Sequence, residues 1–150
     1  MASQSELDAV YMGTAMLHAR LSKARRAKVG AVLVTAQGVV LTGFNGTAVG
    51  RPNNCEDEVF HWGDWNPPEL ATKQEVIHAE LNCILKAARE GVSTLGATVY
   101  TSLSPCVPCS AMLVNAGISR LIYKNTYRNT EGLQLLESCG IITEQYKEKE

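Results

Sequence analysis

The sequence predicts an α/β fold, a three-layer α-β-α arrangement in which a five-stranded mixed sheet carries helices on both faces. Three observations lead to it. Two apolar runs, Val29–Thr35 and Val39–Phe44, flank the turn Ala36-Gln37-Gly38 and read as a hairpin. Downstream, strand and helix patterns alternate, which implies crossovers and a sheet that is parallel in its later part. The 150 residues suit one domain with one core, and no repeat or linker divides them.

The elements follow in order. Ser3 or Ser5 caps a first helix running to about Ala24, with Leu7, Val10, Tyr11, Ala15, Leu17 and Leu21 at helical spacing. A basic cluster, Lys23, Arg25, Arg26 and Lys28, precedes the hairpin. From Asn45 to about Thr72 the periodicity breaks. This stretch holds three of the five prolines and both tryptophans, and it is long for a loop without function. Lys73 or Gln74 opens a strong helix, EVIHAELNCILKAARE, ended by Gly91. Ala97–Thr101 is a strand. A helix from Cys106 to Ala116 starts beside Pro105 and stops at Gly117. Ser119–Tyr123 is a strand, Thr130–Ser138 a helix and Ile141–Thr143 a short last strand.

Bulk properties narrow the function. Hydrophobic residues make up 45% and charged residues 19%, a globular composition. A formal net charge of −1 gives no footprint for a nucleic-acid partner. There is no apolar run of about 20 residues, so no membrane span is expected. MASQSELDAV lacks the basic and apolar regions of a secretory signal. A cytoplasmic protein is the expectation. In a reducing compartment, five cysteines, an odd number, argue for a metal or redox pair over a disulfide framework.

Two short motifs carry the chemistry. Cys106-Val107-Pro108-Cys109 places two cysteines on one turn at a helix start, where N–H groups and the helix dipole stabilise thiolates. Alone, this spacing fits a zinc site and a thioredoxin-like redox pair about equally. His78 tilts the balance. Successive helix starts in parallel crossovers lie at the same sheet edge, so His78 can meet the cysteines. One imidazole and two thiolates leave a fourth zinc position open, the pattern of a catalytic ion. Glu80 is not placed as a fourth ligand but can pass protons between water and a substrate nitrogen. A lone histidine in an apolar helix is most often merely packed, and a lone glutamate merely solvated. The combination is harder to obtain by chance.

HAEL followed by SPCVPC resembles the signature of zinc-dependent cytidine and deoxycytidylate deaminases. That resemblance implies zinc on His78, Cys106 and Cys109, proton transfer by Glu80, and hydrolytic loss of an exocyclic amine as ammonia. KVGAV, TGFNGT, NNCED, EVIHAELNCILKAAREG, GATVYTSLSPCVPC and LIYKNTY extend it to the deoxycytidylate family over nearly the whole chain. The implied reaction is dCMP to dUMP, feeding dTMP synthesis. Substrate contacts are expected at Arg26 and Lys28 for the phosphate, Asn45 for the sugar, the Ala79 backbone for the base and Tyr127 for packing. The resemblance further implies a homohexamer activated by dCTP with Mg²⁺ and inhibited by dTTP. The insertion 46–72 would form the effector site, with Gly43, Asn45, Gly46 and Glu56 as effector contacts, and Arg89 would lie at a subunit contact.

Some relatives carry a second, structural zinc. Cys55 and His61 are present here, but the cysteine expected in Ala24–Ala27 is replaced, so no second zinc is expected. Cys83 and Cys139 are expected as buried small hydrophobes. Three other readings compete. A tRNA adenosine deaminase would need an RNA footprint that a pI near 6.3 does not give. A nucleoside deaminase would need neither basic cluster nor insertion. A zinc-stabilised binding module would have no use for Glu80.

Overall fold

The computed structural model describes residues 1–149. The chain runs α1 (Gln4–Ala19), β1 (Gly30–Val34), β2 (Val40–Phe44), β3 (Glu56–Val59), β4 (Glu69–Thr72), α2 (Ala79–Glu90), β5 (Thr98–Leu103), α3 (Val107–Asn115), β6 (Arg120–Asn125), α4 (Glu131–Ser138) and β7 (Ile142–Gln145). Five strands form one sheet in the order β2-β1-β5-β6-β7. The pairs β1–β2 and β1–β5 are antiparallel, whereas β5–β6 and β6–β7 are parallel. This is the expected mixed sheet.

Alternation along the strands sorts the side chains into two layers of core. Val32, Tyr100 and Ile122 point to one face and meet Met12 and Ala15 of α1. Ala31, Leu33, Val99 and Leu121 point to the other and meet Ala79 and Cys83 of α2, Leu113 of α3, and Leu133 and Leu136 of α4. One helix therefore covers one face and three cover the opposite one. The start of α1 is fixed by a capping box: Glu6 N donates to Ser3 Oγ at 3.3 Å, and Ser3 N donates to the Glu6 carboxylate at 2.6 Å.

Four expectations are corrected. First, α1 ends at Ala19, not near Ala24. Arg20, Leu21 and Ser22 donate three residues back, tightening the last turn, and Ser22 Oγ then donates to Asn45 O at 2.9 Å. Second, α2 begins at Ala79, not at Lys73 or Gln74. Ile77 exchanges both backbone bonds with Gly46, which keeps the residues before His78 extended. Third, the insertion contains an antiparallel hairpin, β3–β4, with Glu56 opposite Thr72. Fourth, Cys139 is exposed at the C-cap of α4, where Ile141 closes the core in its place. Cys83 is buried as expected, its thiol 3.6 Å from Ala31 O.

Register then decides where a site can form. Gly30 lies opposite Phe44, Ala31 opposite Thr101, and Leu103 beside Asn125. The residues just beyond these pairs (Val29, Asn45, Ser104, Thr126) gather at one edge, outside the carboxyl ends of the parallel strands. Ligands in open α/β sheets bind at this edge.

Candidate active site and metal centre

Two helix starts build the centre. His78 is the N-cap of α2 and Cys106 the N-cap of α3, both with extended backbone and neither with a side-chain cap bond. Capping favours Ser, Thr, Asp or Asn at such positions. Here the cap residues turn to each other instead. His78 Nδ1 lies 3.5 Å from Cys106 Sγ and 3.2 Å from Cys109 Sγ. The three donor atoms all lie within 4.8 Å of one another. Two soft sulfurs and one imidazole nitrogen are a zinc donor set, and three protein donors leave room for a further ligand. Gly43 allows the approach of α2 to the sheet: a Cβ there would stand 2.5 Å from Ala79 O.

The electrostatics suit a cation. The hydrogen bond from Cys109, followed by that from His78, holds the Cys106 thiol down to about 4, against an opposing effect of burial. Cys109 is pushed up, first by that same hydrogen bond and then by burial. A divalent cation relieves this imbalance, because it stabilises both sulfurs as thiolates. Glu80 is 3% exposed. Burial raises its pKa above the ordinary carboxylate range, more than its own backbone amide and His78 lower it. A buried carboxyl beside the donor set can take a proton from one partner and return it to another. Thr101 Oγ1 stands 3.4 Å from Glu80 Oε1 while donating to Leu103 O at 2.8 Å.

A cavity of about 320 Å³ opens beside this group, lined by His78, Ala79, Glu80 and Cys106. Arg26, Asn45 and Tyr127 line it as well. Asn45 is largely committed to the backbone: its Oδ1 accepts from Val29 N at 2.9 Å and its Nδ2 donates to Ala27 O at 2.8 Å. Lys28 is exposed and outside the lining. Gly43 is packed beneath α2, and Gly46 forms the bridge to Ile77. Glu56, expected among the effector contacts, lines the same cavity as the metal donors. Arg89 pairs with its neighbour Glu90 at 2.9 Å on the surface.

Three contributors escaped sequence reasoning. Arg128 lines the cavity with its guanidinium 5.6 Å from the Tyr127 ring centroid. Among the described residues, neither Arg26 nor Arg128 has a carboxylate partner, so both remain available to an anion. Ser104 Oγ accepts from Tyr127 N at 2.7 Å and fixes the loop that carries Tyr127 and Arg128. Thr101 is the third. The serine stood in the SPC motif two residues before Cys106, where its bond to the Tyr127 loop is not visible, and Arg128 directly follows LIYKNTY with no local spacing that ties it to the metal group.

Comparison with known proteins agrees with this geometry. The family model described as "Cytidine and deoxycytidylate deaminase zinc-binding region" matches residues 5–125. The chain is 35% identical over 149 residues to a Drosophila melanogaster protein named "Probable deoxycytidylate deaminase", with 89% of this chain and 69% of that protein covered. It is 34% identical over 161 residues to the deoxycytidylate deaminase of Enterobacteria phage T4, covering 85% of this chain and 83% of the phage protein. Its fold is similar to that of dCMP deaminase from the cyanophage S-TIM5, solved in complex with dCMP and dUMP. That similarity has a TM-score of 0.85 and 35% identity, covering 97% of this chain and 100% of the other.

Proposed function

The chain belongs to the family of cytidine and deoxycytidylate deaminases that share this zinc-binding region, and on that premise we propose that it hydrolyses dCMP to dUMP and ammonia. The observation that carries the proposal is one cavity holding a His-Cys-Cys donor set, a buried carboxyl and two arginines that have no carboxylate partner among the described residues. His78, Cys106 and Cys109 would hold zinc. When bound there, zinc supplies Lewis-acid activation of water near neutral pH.

The chain's own residues do the rest. Glu80 takes a proton from the attacking water and delivers it to ring N3, then passes the proton of the new C4 hydroxyl to the exocyclic nitrogen, so that ammonia leaves as the C–N bond breaks and the C–O bond becomes the carbonyl of dUMP. The Ala79 backbone meets the amide edge of the base. Arg26 and Arg128 hold the 5′-phosphate by charge-assisted hydrogen bonds. Tyr127 packs against the nucleotide. A nucleoside would leave both arginines unpaired, and this favours the monophosphate.

Regulation belongs to the same proposal. dCTP with Mg²⁺ activates and dTTP inhibits, both acting on the insertion 46–72, in a cytoplasmic homohexamer that feeds dTMP synthesis. The supporting observation is mechanical: the insertion is rooted at Gly46, which bridges Ile77, and His78 follows immediately. A ligand that moves this root moves a metal donor.

Ammonia release from dCMP, deoxycytidine and dCTP, each with and without dCTP–Mg²⁺ or dTTP, tests both parts. Preference for dCMP with opposed effects of the two triphosphates is expected. Turnover of dCMP without any effector response would remove the regulatory part and leave the chemistry. Preference for deoxycytidine would overturn the role of the arginines.

A further inference from the structure

The turn that leads into α3 and the loop that leads into α4 touch at three points. Ser104 N donates to Asn125 O at 2.9 Å, and Tyr127 N donates to Ser104 Oγ at 2.7 Å. Ser104 is buried, so the second bond is shielded from water. The third point is Gly132, buried in the first turn of α4. A Cβ there would stand 2.1 Å from Pro105 O, 3.0 Å from the carbonyl carbon of Cys106 and 2.9 Å from Ser110 Oγ. The backbone of Gly132 does not have a positive φ, so turn geometry does not call for glycine here. Glycine inside a helix is less favourable than alanine, and close approach is the reason left for it. α4 therefore seats bare backbone on the peptide that joins Pro105 to the metal donor Cys106. Leu133 and Leu136 of α4 hold it there, packed in one core layer with Leu113 of α3.

Between these pins the loop brings Thr126, Tyr127 and Arg128 to the cavity wall, while the turn brings Cys106 to the same cavity. Cys106 is two residues from the Ser104 pin, and Arg128 is one residue from the Tyr127 amide that the pin holds. We propose that Ser104 and Gly132 are positioning residues: together they clamp the metal-donor turn 104–106 to the loop 126–131, so that Cys106 and Arg128 are set by one rigid unit. Ser104 fixes the loop to the turn at its start, and Gly132 fixes it at its end. The clamp joins the metal end of the cavity to its anion end. The thiolate and the guanidinium keep their spacing before either ligand arrives, which lowers the ordering cost of binding. A side chain that lifts α4 off the Pro105–Cys106 peptide displaces both, and so does loss of the Ser104 acceptor.

The part that concerns Arg128 rests on dCMP being the substrate; the part that concerns Cys106 does not, and the test separates them. Zinc affinity of the folded apoprotein is measured by competition with a chromophoric chelator, and KM for dCMP at saturating zinc. The proteins are wild type, Ser104→Ala, Gly132→Ala and Met12→Ala. S104A removes the acceptor of Tyr127 N and adds no atom, whereas G132A drives a methyl against Pro105 O. The effects should cross. S104A leaves every zinc donor in place, yet it should bind zinc about 3–10-fold more weakly as well as raise KM. G132A leaves the cavity lining in place, yet it should raise KM about 10-fold as well as weaken zinc roughly 10–100-fold. Met12 packs on the opposite face of the sheet, so M12A measures mere destabilisation: Tm should fall while zinc affinity and KM stay within about 2-fold. Lowered Tm in S104A and G132A, with zinc affinity and KM at wild-type values, would overturn the assignment. So would a clean split in which S104A changes only KM and G132A only zinc. If G132A does not fold, S104A decides, and unchanged zinc affinity there overturns the clamp. Absence of dCMP turnover by zinc-loaded wild type would be the failure of the substrate reading, and the zinc affinity of S104A would still decide whether the clamp holds Cys106.

Discussion

His78 and Cys106 occupy helix caps where neither side chain caps. Their freedom from local duty lets two helix starts share one ion, and Gly43 lets α2 come close enough to do so. The substitution Gly43→Ala forces a methyl against Ala79 O, one residue from a metal donor. Overpacking of this kind costs roughly 1–3 kcal/mol. The variant should lose both zinc occupancy and thermal stability, read by metal analysis and calorimetry. Full zinc with an unchanged Tm would show that α2 does not depend on this contact. The four central residues were legible in sequence because each pair sits within one helical turn, at a spacing that chance seldom supplies with the right chemistry. Thr101, Arg128 and Glu56 were not legible as parts of the site. Thr101 reaches it through strand register, Arg128 through the loop after β6 and Glu56 through the β3–β4 hairpin, whereas from sequence Glu56 is expected at an effector site in the insertion 46–72.

At the scale of elements, α1 is latched to β6. Arg120 donates through both terminal nitrogens to Asp8, at 2.9 and 2.8 Å, and Tyr100 Oη donates to Asp8 Oδ1 at 2.7 Å. The hydrogen bond from Arg120, above all, lowers the Asp8 pKa from 3.8 to about 2. A lowered carboxyl pKa contributes stability that is present above the unfolded value and lost as pH falls toward the folded one, here worth about 2 kcal/mol. The Asp8→Asn penalty in urea unfolding should therefore be full at pH 6 and fall to about half at pH 3. An unchanged penalty at pH 3 would place the acid-sensitive group elsewhere. The alternating elements after Gly91 were legible because the β-prone stretches TVYTSL and RLIYKN are separated by a helical pattern and bounded by turn residues such as Gly96 and Gly117. The start of α2 was not: Val76 and Ile77 continue the helical apolar pattern, and only the pairing with Gly46 holds them extended. β3 was hidden for a related reason, since its three acids show no period of two.

Over the whole molecule, the two core layers are made by the sheet and its helices and do not include the metal donors. Metal binding should thus stabilise the fold without being required for it. Chelation should abolish turnover and leave far-UV circular dichroism intact. Tm should fall by on the order of 10 °C relative to protein in zinc at about a thousandfold above Kd. Unfolding on chelation would make the centre a structural one. The most direct test of the account compares wild type with Glu80→Gln, each assayed for bound zinc and for conversion of dCMP to dUMP. The account predicts one zinc per chain in both proteins and a rate at least about 100-fold lower in the variant, the usual loss for a positioned proton carrier. Equal rates at equal zinc, or no conversion by zinc-replete wild type, would contradict it.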